Sequence, residues 1–293
     1  MGLLFQLLSI LCFGISNAFW KKIEKSGYGF IEAVFYRSVI AVAMLIVMIA
    51  TFNHFEIFNE FCFVDQYFFQ QWHWLQCIFI CVFCSLGLVC FVSSLKQNVV
   101  GVAVSLTSVN IFGILCATLF LHEAFEQKHA ISLVIATFGI LLIGIKKTDK
   151  KYAINFRKVM LPFAASFFWG IGYTLFKIPL KWVGPLMMSL FIETTVLLVS
   201  FILLLKQQKV TPINLIKSWS SYHFYFSGFL LATGSVFVNI ALSSLSIVLI
   251  NITGLLIFPV SIFMAYLFNH EIPTFKAFVG MALIILSILF VFL

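Results

Sequence analysis

One carboxylate sits where hydrocarbon is expected. Glu193 is the tenth residue of an apolar run that starts at residue 184, roughly 14 Å along it at 1.5 Å per helical residue. In a hydrocarbon layer about 30 Å thick that is close to the midplane, where a carboxylate costs about 2.5–3.5 kcal/mol and must face protein or a wet cavity. Three roles fit it: holding a cationic group of a substrate, carrying a coupling proton, or locking two helices by an ion pair or hydrogen bond. Arg37 lies 156 positions earlier, also inside an apolar run. Its planar guanidinium can clamp a carboxylate or phosphate with two hydrogen bonds. It can also snorkel toward water, or pair with Glu32 or Glu193.

Amides and aromatics add a second group of polar residues inside apolar runs: Asn17, Ser108, Asn110, Tyr173, Thr174, Asn239 and Asn251. Trp20 follows Asn17 by three residues, and Tyr173 follows Trp169 by four, one helical turn. A cavity of amides and rings suits a small amphipathic solute. Taken singly, each Asn reads first as a hydrogen bond between helices; as a set they favour a polar interior. The substrate-binding candidates are therefore Asn17, Trp20, Arg37, Asn110, Trp169, Tyr173, Glu193, Asn239 and Asn251. Pro259 removes a backbone donor midway through its run, which kinks or breaks the helix there. Such a break exposes backbone groups to a substrate in some carriers and is a plain packing kink in others.

Other chemistry is excluded or weak. Cys77, Cys81 and Cys84 form one helical stripe; thiolates bind soft metals, but with no His in the segment the stripe reads as buried, inert thiol. His122-Glu123 and His270-Glu271 lack the HExxH spacing of metalloproteases, and their position where the chain leaves an apolar run implies solvated charge. No phosphate loop, nucleophile elbow, dinucleotide fingerprint or zinc spacing occurs, so no catalytic residue, metal or cofactor is expected.

The elements that must position these residues follow from composition. The chain is 62% hydrophobic and only 10% charged, with mean hydropathy +1.12. Soluble domains keep about a quarter of their residues charged, so the solvent of this chain is lipid. The net charge of +8 does not indicate nucleic acid, because the cations stand at the ends of apolar runs. Ten runs approach the roughly 20 residues that a crossing helix needs: 3–20, 30–51, 75–94, 99–121, 129–145, 159–176, 184–205, 223–243, 247–268 and 277–293. They are continuous rather than alternating, which favours helices over a barrel. The first has no cationic leader or cleavage site and reads as part of the fold.

The halves on either side of a basic stretch, KKTDKKYAINFRK at 146–158, resemble each other. CFGISNAFWKK at 12–22 aligns with FWGIGYTLFKI at 168–178, a shift of 156 that sets Arg37 on Glu193. FLHEAFEQK at 120–128 aligns with FNHEIPTFK at 268–276, a shift of 148. The expected organisation is a five-helix repeat at 1–145, a linker at 146–158 and a second repeat at 159–293. Five being odd, the copies enter the membrane from opposite faces, an inverted repeat of the kind secondary transporters use. The fold class expected is all-α integral membrane, with ten transmembrane helices in two inverted five-helix repeats. Alternate loops, with Arg37, hold fifteen Lys and Arg against three on the other side. The positive-inside rule then puts the basic side in the cytoplasm and both termini outside. The connector at 52–76 has Glu56, Glu60 and Asp65, no Lys or Arg, and several Trp and Tyr; it suits an interfacial cap, or a lid over a substrate path.

These two halves resemble the EamA-type units of the drug/metabolite transporter superfamily. The stretches that carry the likeness are FGISNAFWKK…AVFYRS, FLHEAFEQKHAISLVIATFGILLIG, FFWGIGYTLFK…KWVGPL and LFNHEIPTFKAFVGMALIILSILF. The resemblance implies a central cavity lined by helices 1–4 and 6–9, with 5 and 10 peripheral. Members move amino acids, nucleotide-linked sugars, purines, cofactors or drugs, so no substrate is named. They usually keep both termini in the cytoplasm and a basic loop between helices 2 and 3; this loop has no basic residue, and the charge count favours external termini.

The function expected is a secondary carrier of a small polar or amphipathic metabolite, working by alternating access in the cytoplasmic (inner) membrane. Its partners are the substrate, the bilayer and a coupling proton, with no nucleic acid. Two other classes stand beside it. A lipid transferase would need an acidic cluster or His/Asp pair at an interface, and a non-transporting scaffold would leave Glu193 and the Asn set without a purpose.

Overall fold

Why helices form is set by the solvent: within hydrocarbon every backbone N–H and C=O must be satisfied inside its own segment. The computed structural model describes residues 1–25, 28–52, 59–95, 99–144, 156–206 and 222–293. Among them every regular element is helical, apart from a single antiparallel bridge between Val64 and Val183. In order these are α1 (Gly2–Lys25), α2 (Phe30–Phe52), α3 (Asn59–Cys62), α4 (Tyr67–Gln70), α5 (His73–Leu95), α6 (Val99–Phe120) and α7 (Gln127–Gly144). They continue as α8 (Phe156–Leu175), α9 (Pro185–Lys206), α10 (Tyr222–Ser244), α11 (Ile247–Gly254), α12 (Ile257–Asn269) and α13 (Phe275–Phe292).

Among the described residues seven stretches are long and apolar enough to cross a membrane: Gly2–Phe19, Phe30–Phe52, His73–Cys90, Pro185–Lys206, Tyr222–Ser244, Ile247–Asn269 and Phe275–Phe292. Asn110–Phe120 and Gln127–Ile143 are shorter apolar helices. Phe79, Leu119 and Phe138 stand on these helices with most of their surface uncovered, a surface that only lipid tolerates. The expected linker at 146–158 lies largely outside the described residues, and α8 has already begun at Phe156. Helix α1 continues past the expected end at residue 20 to Lys25, because a helix does not stop where its apolar run stops.

The helices gather into two compact units, each drawing on both sides of the basic stretch: Met1–Ser85 with Leu175–Ser244, and Leu86–Thr174 with Leu245–Leu293. In the first, α10 packs on α1, α2 and α9. Its core joins Ala41 and Leu45 of α2 to Leu186 of α9 and Leu231, Ala232 and Val236 of α10. Part of the 52–76 connector is pinned to the turn before α9. The Asp65 N–H donates to the Trp182 carbonyl at 2.8 Å, the Gly184 N–H donates to the Phe63 carbonyl at 2.8 Å, and the His73 ring stacks on Trp182 at 4.1 Å. A Cβ on Gly184 would run into the Phe61 carbonyl, so only glycine admits this approach. Pro185 then opens α9, where its missing N–H costs no helical bond. Residues 53–58 of the connector lie outside the described residues.

In the second unit, α7 packs on α13, and α6 on α7 and α11. Gly139 and Gly280 face each other where α7 meets α13; a Cβ on Gly139 would lie 2.6 Å from the Gly280 carbonyl oxygen. The 247–269 stretch is two helices, not one kinked helix. It breaks at Leu255–Leu256, and Leu255 is four residues before Pro259. A proline ring clashes with the carbonyl four residues back and offers it no N–H. The Leu255 carbonyl accepts instead from the Phe258 N–H at 3.2 Å. With the break in place, Pro259 falls in the first turn of α12, where N–H groups have no helical partner anyway.

Candidate functional site

Arg37 and Glu193 belong to the first unit. Gly228 on α10 lets α2 come close at Arg37: a Cβ there would lie 2.9 Å from the Arg37 carbonyl oxygen and 2.8 Å from Ile40 Cβ. Glu193, in the middle of α9, is 6% exposed, and Arg37 lies within electrostatic reach of it. Among the described residues Glu193 Oε2 accepts no hydrogen bond. The other carboxylate weighed for Arg37, Glu32, accepts from the Gly29 N–H at 2.7 Å and so caps the start of α2. Beside that cap, burial first, then Tyr36 and Glu32, push the Tyr28 phenol above its ordinary pKa.

One turn before Glu193 on α9, Ser189 donates to the Pro185 carbonyl at 2.8 Å. It also accepts from Asn239 Nδ2 at 2.9 Å, linking α9 to α10. Asn239 is 1% exposed, and its Oδ1, too, accepts no hydrogen bond among the described residues. Ser16 and Ser227 meet at 3.0 Å where α1 packs on α10. The first unit thus encloses a carboxylate oxygen within reach of a guanidinium, and the amide oxygen of Asn239, bound to Ser189 one turn away along α9, neither of them accepting a hydrogen bond among the described residues. Acceptors of that kind hold a proton, an ammonium or another N–H or O–H donor. Asn17 is exposed, and the Trp20 side chain lies outside the described residues.

Four candidates belong to the second unit. The Trp169 ring lies against Gly87, where a Cβ would come 2.6 Å from Trp169 Cδ1. Asn251 packs on Gly113 of α6, a Cβ there lying 2.5 Å from Asn251 Oδ1, while Asn251 Nδ2 donates to the Ile247 carbonyl at 2.9 Å. Thr174 donates to the carbonyls of Gly170 at 2.8 Å and Gly113 at 3.1 Å. Asn110 is half-buried one turn before Gly113, and Tyr173 is 43% exposed. The nine candidates therefore divide, with Asn17, Trp20, Arg37, Glu193 and Asn239 in one unit and Asn110, Trp169, Tyr173 and Asn251 in the other. Ser108 is among the residues whose side chains lie outside the described ones.

Sequence reasoning missed Ser189, although it stands four residues before Glu193 and so shares its helix face. It also misjudged Glu123. The charge is not left to water alone: on the half-buried Glu123, Oε2 accepts from the Ile247 N–H at 2.7 Å and the Val248 N–H at 3.2 Å, at the start of α11. Cys77, Cys81 and Cys84 are buried, and the Cys77 thiol donates to Met188 Sδ at 3.8 Å. Among the described residues no group of His, Cys, Asp or Glu is arranged to hold a metal.

No curated protein matches the chain. Among solved structures, 28 chains match. One of them, titled only "Crystal structure of protein", is similar at 10% identity with a TM-score of 0.73, over 98% of this chain and 96% of that one, a likeness of fold alone. The EamA-like transporter family matches residues 1–145 and 157–293, nearly the whole length. With its apolar helices, that coverage makes this a multi-pass membrane protein, and the chain belongs to the EamA-like transporter family.

Proposed function

We propose that this protein is a secondary transporter that moves a small polar or amphipathic metabolite by alternating access. In this reading ten helices cross the cytoplasmic (inner) membrane, and the two five-helix halves, 1–145 and 159–293, are inverted repeats that rock about a midplane site. The basic side faces the cytoplasm and both termini lie outside. Family membership supports transport, and one observation carries the site: Glu193 is enclosed in mid-helix with an oxygen that accepts nothing among the described residues. A buried polar atom left open costs about 1–3 kcal/mol, a cost a bound donor removes. Glu193 and Asn239 therefore serve as acceptors for the substrate or a coupling proton, with Arg37 as the counter-charge. Within the second unit, Trp169, Tyr173, Asn110 and Asn251 are the aromatic and amide candidates for substrate contact.

The test is a thermal-shift screen of the purified protein against amino acids, nucleosides, nucleotide sugars and organic amines. A true ligand at a hundred times its Kd stabilises the native state by about 2.7 kcal/mol. The hit must then be taken up by proteoliposomes holding the protein and not by empty ones. A hit that binds and does not cross the membrane makes the protein a receptor or scaffold.

A further inference from the structure

The two helix ends that carry the His-Glu pairs are built alike. His122 and His270 both take the left-handed backbone conformation, at φ 53° and 54°, where glycine is usual. In each, the N–H of the following glutamate reaches back six residues to an alanine carbonyl: Glu123 to Ala117 at 3.1 Å, Glu271 to Ala265 at 3.4 Å. The turn aims the Glu123 carboxylate at the start of α11, where it takes the Ile247 and Val248 N–H groups. Ser246 takes the third donor, that of Leu249, at 3.2 Å. A carboxylate there also meets the positive end of the helix dipole.

The shift of 148 that sets Glu123 on Glu271 also sets the first residue of α6, Val99, on the first residue of α11, Ile247. We infer that Glu271 caps the start of α6, accepting from the Val99 and Val100 N–H groups as Glu123 does from Ile247 and Val248. Each helix then ends on the glutamate that caps the start of the other, a reciprocal clasp that closes α6 and the α11–α12 pair end to end. The two clasps fasten both ends of a pair whose second member is broken at Leu255–Leu256. The inference rests on the repeat proposed above.

Hydrogen–deuterium exchange of the full chain in lipid nanodiscs tests it. Glu123→Ala should speed exchange at residues 247–249 about fivefold, the usual effect of losing a helix cap, and leave 99–101 unchanged. Glu271→Ala should do the reverse. If Glu271→Ala leaves 99–101 untouched while Glu123→Ala acts as expected, the reciprocal clasp is overturned. Should the alanine variants fail to fold, Glu271→Gln and Val99→Pro give a second route, since proline is accepted at a first helical position and lacks the N–H. Their effects on Tm should then be non-additive; simple addition overturns the inference. An impermeant maleimide on Ala124→Cys and Ile272→Cys, in a background without the native cysteines, reads the repeat separately. Labelling of both from one face rejects the inverted repeat whatever the exchange shows, and exchange needs no transport.

Discussion

Glu193→Gln separates a transport residue from a helix lock. Glutamine keeps the length and one acceptor oxygen of Glu193, loses the charge, and puts an amide donor where an oxygen was. Were the carboxylate a structural lock on Arg37, the change would leave a guanidinium without that counter-charge. Removing one partner of a buried pair costs about 3–5 kcal/mol, a large part of the roughly 5–15 kcal/mol that holds a protein folded. The observed geometry argues for less. Oε2 accepts nothing among the described residues, and Arg37 acts on Glu193 through its charge. A lock would use both oxygens. The expected loss is therefore about 1 kcal/mol, the worth of one ordinary hydrogen bond, while uptake falls at least tenfold, about 1.4 kcal/mol or more in the barrier. Thermal unfolding and proteoliposome uptake of the screened ligand read the two quantities on one preparation. A loss of several kcal/mol that Arg37→Gln restores in the same chain would refute this and make the pair structural. Normal stability with normal uptake would remove Glu193 from transport.

Three further outcomes are expected. Gly139→Ala places a methyl 2.6 Å from the Gly280 carbonyl oxygen, which is backbone and cannot turn aside, so α7 and α13 should separate at a cost of about 1–3 kcal/mol. Thermal unfolding checks this, and an unchanged Tm would mean the two helices have slack. Pro259→Ala returns an N–H to face the Leu255 carbonyl and should raise Tm while slowing exchange around residues 255–259; a lower Tm would show that the break is fixed by packing rather than by proline. A reporter fused after Leu293 should be external and a tag near Lys150 cytoplasmic, since on the proposed ten-helix topology fifteen of the eighteen Lys and Arg fall on one side. A cytoplasmic C-terminus would sink the charge count.

What sequence could and could not disclose divides along physical lines. Helix positions were legible because hydrocarbon thickness dictates the length of an apolar run, and a run such as 30–51 has no other use. Glu193 was legible because charge inside such a run is expensive wherever the helix points. Ser189, the partner of Asn239, was not. It lies 50 residues from Asn239, and their meeting depends on the register of α9 against α10. Glu123 escaped for a related reason: its partners are backbone N–H groups 124 and 125 residues away, and nothing in the types of Ile247 or Val248 announces a cap. The rule that loop charge stays in water holds only where the loop ends in water.

Which face of each helix turns inward is the harder question, and it decides where a site lies. A soluble helix answers it with an apolar stripe, because water sorts the faces. Lipid sorts them hardly at all: on the closing turns of α6 every residue from Ile114 to Ala117 is apolar, and Leu115 stands uncovered while Ala117 is fully enclosed. The sorting signal in this chain is small size. Gly228 marks the side of α10 that meets α2 at Arg37, Gly113 the side of α6 that meets Asn251, and Gly87 the side of α5 that meets Trp169. In all three the glycine stands opposite a residue singled out for chemistry, since close approach brings a polar group on one helix within reach of its neighbour's backbone. While Gly139 and Gly280 point to each other, at these three positions the glycine marks the helix face that a polar or aromatic residue meets. Sequence presents it as mere packing, because its meaning lies on the facing helix.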